Sequence, residues 1–163
     1  MLILKWLVIV LTLVVVFVIA VGQAGKLQGQ VPADLGVHGG RLKPPSLTEN
    51  SVSSQTALYP DHPQRQYAAI APLTLRGDGL ATIARLKTVV NAMSGAKIVK
   101  SEPDYLYAQY TTPVMKFVDD VEFWYDPSTQ AIQVRSASRI GRGDMGVNRQ
   151  RIEAVRQALA AQP

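Results

Sequence analysis

Two rhythms of apolar and polar residues divide this chain. Residues 2–21 are almost unbroken apolar sequence, interrupted only by Lys5 and Thr12. With its flanks the run reaches the roughly 20 residues a helix needs to span a bilayer. A transmembrane anchor over residues 2–22 is the favoured reading, because the apolar stretch is long for a signal and Trp6 sits at one interface. The alternative is a signal peptide of residues 1–24, cleaved after the small-x-small step Gly22-Gln23-Ala24. The short tail ahead of Lys5 is easily kept in the cytoplasm. The remainder is therefore expected on the non-cytoplasmic, periplasmic side, either anchored or, after cleavage, secreted there.

From residue 25 to 66 the rhythm disappears into Gly, Pro, Ser and Gln. Pro32, Pro44, Pro45, Pro60 and Pro63 forbid long helices. This stretch reads as a linker and extended arm ahead of a domain over residues 67–162. Residues 35–40 and 50–54 are candidates for short segments laid against that domain.

Periodicity returns at residues 69–75, a short strand candidate. Asp78 then caps a helix whose Leu80, Ile83, Leu86, Val90 and Met93 fall on one stripe, ended by Gly95. Two strands follow, over residues 96–100 and 105–112. Alternation in the second puts Tyr105 and Tyr107 on one face and Leu106, Ala108 and Tyr110 on the other. Asp126-Pro127-Ser128-Thr129 has the residues of a type I turn. A hairpin closed there pairs Tyr125 with Ile132, Phe123 with Val134 and Glu122 with Arg135. A slip of one residue would set apolar groups against charges. A final helix, with Asn148 as its cap, turns Ile152, Val155 and Leu159 inward. The order β-α-β-β-β-β-α predicts an α+β fold: a two-layer antiparallel sheet of four to five strands, two helices on one face, and the N-terminal transmembrane or signal helix in front.

Charge sharpens this picture. The formal net charge is +5, but residues 102–126 carry six acidic groups against Lys116, and residues 135–156 carry six arginines against Asp144 and Glu153. An acidic block followed by a basic one suggests neutralisation inside the fold, and argues against a nucleic-acid partner, which calls for an unopposed basic stripe. With no cysteine, disulfides, thiol catalysis and Cys-ligated metals are excluded. His38 and His62, the two histidines, both sit among loop signals, and neither suggests a metal or a triad. No cofactor is implied.

Glu122 facing Arg135, and Asp120 diagonal to Arg135 and Arg139, read as ordinary cross-strand pairs worth about 0.2–1 kcal/mol each. Asp119 is on the inner face without a partner in its hairpin. It is expected to anchor a polar network with Ser138 or an arginine from the loop beyond. Gly141, Gly143 and Gly146 punctuate that loop. Arg149 and Arg151 then fall in a first helical turn, where the dipole disfavours cations. Either Asp144 and the hairpin carboxylates compensate them, or a bound anion such as phosphate or a lipid head group does. The candidate binding set is Arg135, Arg139, Arg142, Asn148, Arg149 and Arg151. The candidate network is Asp119, Asp120, Glu122, Ser136, Ser138 and Asp144.

The runs Asn50-Ser51-Val52-Ser53-Ser54, Phe117-Val118-Asp119-Asp120-Val121-Glu122-Phe123 and Arg135-Ser136-Ala137-Ser138-Arg139 resemble domain-of-unknown-function family 1499, as does the stretch from Asp144 to Glu153. The resemblance covers roughly residues 35–160. Relatives usually carry a Cys where Ser51 stands and often a second near Pro45, so any thiol role they have is absent here. The family brings no established activity. By resemblance, a family function would fall on the same Asp, Glu, Ser, Asn and Arg positions already singled out. The expected function is a membrane-tethered, non-enzymatic envelope module that binds a partner protein or small anionic ligand. The alternative is a metal- or carboxylate-dependent hydrolase using Asp119, Asp120 and Glu122.

Overall fold

Helix α1 (Leu2–Gln23) stands outside the body of the domain, with none of its most apolar window buried by protein. It is long and apolar enough to cross a membrane. The computed structural model describes residues 1–162. Contact with the domain is made by the last turn of α1. Gly22 lies so close to the backbone of Met115 that a Cβ would sit 2.7 Å from its carbonyl oxygen. Gln23 Nε2 donates to the Pro113 and Val114 carbonyls at 3.3 and 2.8 Å.

The sheet has five antiparallel strands: β1 (Ser51–Ser53), β2 (Ala96–Ser101), β3 (Tyr105–Thr111), β4 (Val118–Asp126) and β5 (Ala131–Ser138), in the order β1-β5-β4-β3-β2. The β4–β5 hairpin has the register its alternation demands, with Tyr125 opposite Ile132, Phe123 opposite Val134 and Glu122 opposite Arg135. Asp126 holds the turn by accepting from Ser128 N, Ser128 Oγ and Thr129 Oγ1.

The strand expected at residues 69–75 does not form. That segment makes two isolated bridges, Ser53 with Ala69 and Leu73 with Ile132. Pro72 removes a ladder donor from its middle. The edge place beside β5 is taken instead by β1, from the stretch that reads as an arm. A 3-10 turn (Thr56–Leu58) and the short helix α2 (Arg65–Ala68) lead back toward the sheet.

Helices α3 (Gly79–Asn91) and α4 (Val147–Ala160) cover one face. Asp78 caps α3, its Oδ1 accepting from Ala81 N at 2.7 Å. The buried stripe of α3 is Ile83, Leu86, Val89 and Val90, whereas Leu80 points to solvent. With Ile152, Val155 and Leu159 these close over Leu106, Val121, Phe123, Ile132 and Val134. Each such side chain contributes about 1.5–3 kcal/mol by leaving water.

The opposite face is also covered. Leu42, with Leu35 and Val37 beside it, packs on Tyr105, Tyr107 and Trp124. A miniature hairpin bridges His38 to Arg41, and its tip residues Gly39 and Gly40 have φ of 57° and 74°, which favours glycine at both. The arm thus forms a thin third layer over strand faces that carry charge. The outer edge of the sheet is β2, with a bulge between Ile98 and Lys100 and exposed Lys97 and Lys100 along it.

Candidate functional site

Alternation along β4 and β5 sends the polar residues to both faces, and each face builds its own network. On the helix side, Arg151 is the hub. One guanidinium nitrogen meets Asp119 Oδ2, and the other donates to Ser136 Oγ at 3.0 Å and Asn148 Oδ1 at 2.7 Å. The guanidinium also lies 4.7 Å from the Tyr110 ring centroid. Burial raises the Tyr110 hydroxyl to about 12, against the pull of Arg151.

Asn148 is fully buried and satisfied. Its Nδ2 donates to Asn50 O, Ser138 Oγ and Asp144 Oδ2 at 3.1, 3.1 and 2.8 Å, and its Oδ1 also accepts from Ser136. The expected capping role therefore falls elsewhere. Gly146, at φ 80°, is the N-cap residue of α4, and Asp144 accepts from the backbone N–H groups of Gly146 and Asn148. Burial alone would raise the Asp144 carboxyl, but hydrogen bonds from Tyr67, Gly146 and Asn148 hold it below the ordinary value. Tyr67 is raised reciprocally to about 12, first by its hydrogen bond to Asp144.

On the arm side, Arg139 grips Asp120 in a two-point fork, Nε to Oδ2 at 2.9 Å and Nη2 to Oδ1 at 2.8 Å. Tyr107 donates to the same carboxylate at 2.6 Å. Glu122 Oε1 accepts from Tyr105 and from Gly36 N of the arm, both at 2.7 Å. Arg135 donates through Nε to Pro44 O at 3.2 Å, while its Nη1 stands 3.8 Å from Glu122 Oε2. Those last two atoms, and Asn50 Oδ1, are buried without a hydrogen bond. Burial lowers the Arg135 pKa and raises those of Tyr105 and Tyr107. The hydrogen bond to Asp120 raises that of Arg139.

The cross-strand pairs were expected to be ordinary sheet contacts. Their register holds, but their setting is different, because the arm seals Asp120, Glu122 and Arg135 from solvent. Charges so placed are costly to strand singly and are not interchangeable with exposed pairs.

Arg149 has no acidic ion-pair partner among the described residues. It donates to the carbonyl oxygens of Ala69, at 2.8 Å, and Tyr67. Arg156 does the same to Ala71 and Pro72, at 2.7 Å each. Together they clasp the proline-interrupted segment onto α4. Arg142 is exposed and has no hydrogen bond or ion pair among the described residues. Of the six residues in the candidate binding set, then, Arg142 alone faces solvent unengaged. Asp119 lies across the sheet from Asp120 and Glu122, and no group of three or more His, Asp or Glu side chains is placed to hold a metal among the described residues.

Sequence reasoning missed Tyr67, Gly36 and Arg156. It put Tyr105 and Tyr107 on one strand face and gave them no partner. Their spacing from Asp120 and Glu122 across an antiparallel pair was the available signal.

Two clefts open at the α1 end of the sheet. One, of about 450 Å³, is lined by Met93, Tyr110, Pro113, Val147 and Arg151. The other, of about 380 Å³, is lined by Phe117, Asp119, Ser138, Ile140 and Met145. The Asp119–Arg151 pair is shared between them.

The fold and its two networks define a class: an α+β domain with a five-stranded antiparallel sheet, helices on one face and a charged face sealed by an arm, joined to an apolar helix. The chain belongs to the family described as protein of unknown function (DUF1499), whose profile matches residues 41–159. No curated protein and no solved structure matches it.

Proposed function

We propose that this chain is a membrane-tethered, non-enzymatic module of the cell envelope, held by α1 with its domain on the periplasmic side, and that it binds a partner protein or small anionic ligand. The observation that carries this reading is α1 itself: an apolar helix of 22 residues, unburied along its most apolar window and packed to the domain only at its last turn. The absence of catalysis is supported by the use made of the charges. Asp119, Asp120 and Glu122 each stand beside an arginine, an arrangement that spends these three carboxylates on holding the fold. The hydrolase alternative has no specific observation in its favour.

A reporter fused after Gln162 tests the side of the membrane. Activity of a periplasm-dependent reporter is expected, and activity of a cytoplasm-dependent one would overturn the orientation. Retention of α1 in the mature chain, read by mass, separates the anchor from a cleaved signal. For the anionic ligand, Arg142 is the member of the candidate set left unengaged among the described residues. Thermal unfolding of the full chain in detergent is measured against phosphate at matched ionic strength. A site filled at 100 times its dissociation constant adds about 2.7 kcal/mol, and Arg142→Ala is expected to abolish the gain. No gain with phosphate would leave a protein partner as the reading.

A further inference from the structure

We infer that the end of the domain next to α1 docks on the surface of an anionic lipid bilayer, with the side chains of Val114, Ile140 and Met145 in the interface and Lys26, Lys116 and Arg142 against the head groups. The inference rests on the reading of α1 as an anchor.

Strand direction fixes which residues share this end. In an antiparallel sheet the end of β3, the start of β4 and the end of β5 coincide, and the first turn of α4 follows. The last turn of α1 is bound to this same end through Pro113, Val114 and Met115. The chain leaving α1 then runs beside it, since a Cβ on Gly29 would fall 2.8 Å from both Arg139 Cβ and Ile140 Cγ2. Wherever α1 leaves a bilayer, this surface is the nearest part of the domain.

Its chemistry fits that position. Beyond Gln23 the described chain exposes nine large apolar side chains, and four of them, Val114, Ile140, Met145 and Val147, are gathered here. Met145 is 97% exposed at the apex of its loop, with φ of 51°, a conformation few residues other than glycine adopt. A methionine displayed at a loop apex has nothing to gain from water and much to gain from an acyl boundary.

Charge is segregated along the same axis. Lys26, Lys116 and Arg142 make no ion pair among the described residues. The carboxylates of Asp119 and Asp144 at this end are engaged by Arg151 and by Tyr67, which leaves Glu49 as the exposed acid. The opposite end carries Asp78, Glu102, Asp104 and Asp126 around its turns, against Arg76 and Lys100, the latter paired with Glu102. A domain basic toward α1 and acidic away from it is oriented by an anionic surface. Each basic residue near such a surface favours the docked state on the order of fivefold.

The chain has no cysteine, so single labels are clean. The full chain carrying Met145→Cys or, at the far end, Ser128→Cys is labelled with an environment-sensitive fluorophore. It is reconstituted into phosphatidylcholine vesicles with and without phosphatidylglycerol, both containing a spin-labelled quencher lipid. The label at 145 is expected to shift to the blue and be quenched in vesicles with phosphatidylglycerol, and the label at 128 to stay in water. Lys116→Glu with Arg142→Glu is expected to reverse the effect at 145, with circular dichroism reporting the fold. Equal exposure of both labels in chains that float with the vesicles would overturn the docking and leave the anchor standing. Chains that do not float would overturn the anchor and the docking together. Quenching at 145 that survives both charge reversal and loss of phosphatidylglycerol would overturn the anionic surface as the partner.

Discussion

Arg151→Ala removes the cation on which the helix-side network closes. The ion pair to Asp119, the hydrogen bonds to Ser136 and Asn148, and the contact with the Tyr110 ring all go together. What is left behind weighs more than what is lost, because the Asp119 side chain is only 6% exposed. Its carboxyl group would be left buried without its partner and with little water to solvate it. Removing one member of a buried pair costs about 3–5 kcal/mol, whereas an exposed pair is worth about 0–1. Both residues line open clefts, so some water can enter, and a loss of about 3 kcal/mol is expected. Urea unfolding of the full chain in detergent reads this through Trp124, in a Trp6→Phe background that leaves a single tryptophan. At a slope of about 2 kcal/mol/M the midpoint falls by about 1.5 M. Arg151→Met combined with Asp119→Leu leaves no orphaned charge and should recover most of the loss. A loss under about 1 kcal/mol for Arg151→Ala, or a double variant as unstable as the sum of its singles, would refute the reasoning.

Arg149→Ala is expected to cost about 1–2 kcal/mol, since its two carbonyl partners can turn to water once released; a change within about 0.5 kcal/mol would show that the clasp on Tyr67 and Ala69 is idle. Gly79→Ala should destabilise by about 1–3 kcal/mol despite the better helix former, because the new Cβ would lie 2.2 Å from ring carbons of Tyr125; a rise in melting temperature would contradict that packing. The Asp144–Tyr67 pair sets both limbs of a pH profile. The folded pKa of Asp144 is depressed, so its contribution is present above the ordinary 3.8 and is lost as pH falls through its lower folded value. That of Tyr67 is raised, so its contribution holds below the ordinary 10.0 and is lost as pH climbs to about 12. Melting temperatures against pH should show a shallower acid limb in Asp144→Asn and a shallower alkaline limb in Tyr67→Phe.

The β4–β5 hairpin was legible because three signals agreed: alternation, the Asp126-Pro127 turn, and charges that cancel only in one register. Strand β1 was not. Three residues, two of them serine, carry no period, and their burial is imposed by β5 and the arm. The arm misled for the same reason. Glycine and proline spell a linker when read locally, and only its contact with Tyr105, Tyr107 and Trp124 makes it a layer of the core. The charged face was consequently read as ordinary cross-strand pairing. The networks themselves were half visible. Asp119 lacked a partner and the first turn of α4 held cations that the dipole opposes, and Arg151 answers both. Asn148 was misplaced by two positions because Gly146 can take the left-handed conformation at the helix start, and Asp144 then does the capping.

Under the proposed tethering by α1, copies of one chain would meet in two dimensions, already aligned and at high local concentration. An open sheet edge would there recruit its neighbours strand by strand. The β2 edge resists this in two ways: its bulge between Ile98 and Lys100 breaks the repeat a neighbouring strand must match, and Lys97 and Lys100 repel a second copy of the same edge. At the other edge β1 offers only three residues to pair with. Both edges of the sheet thus discourage strand-by-strand pairing between copies of the chain.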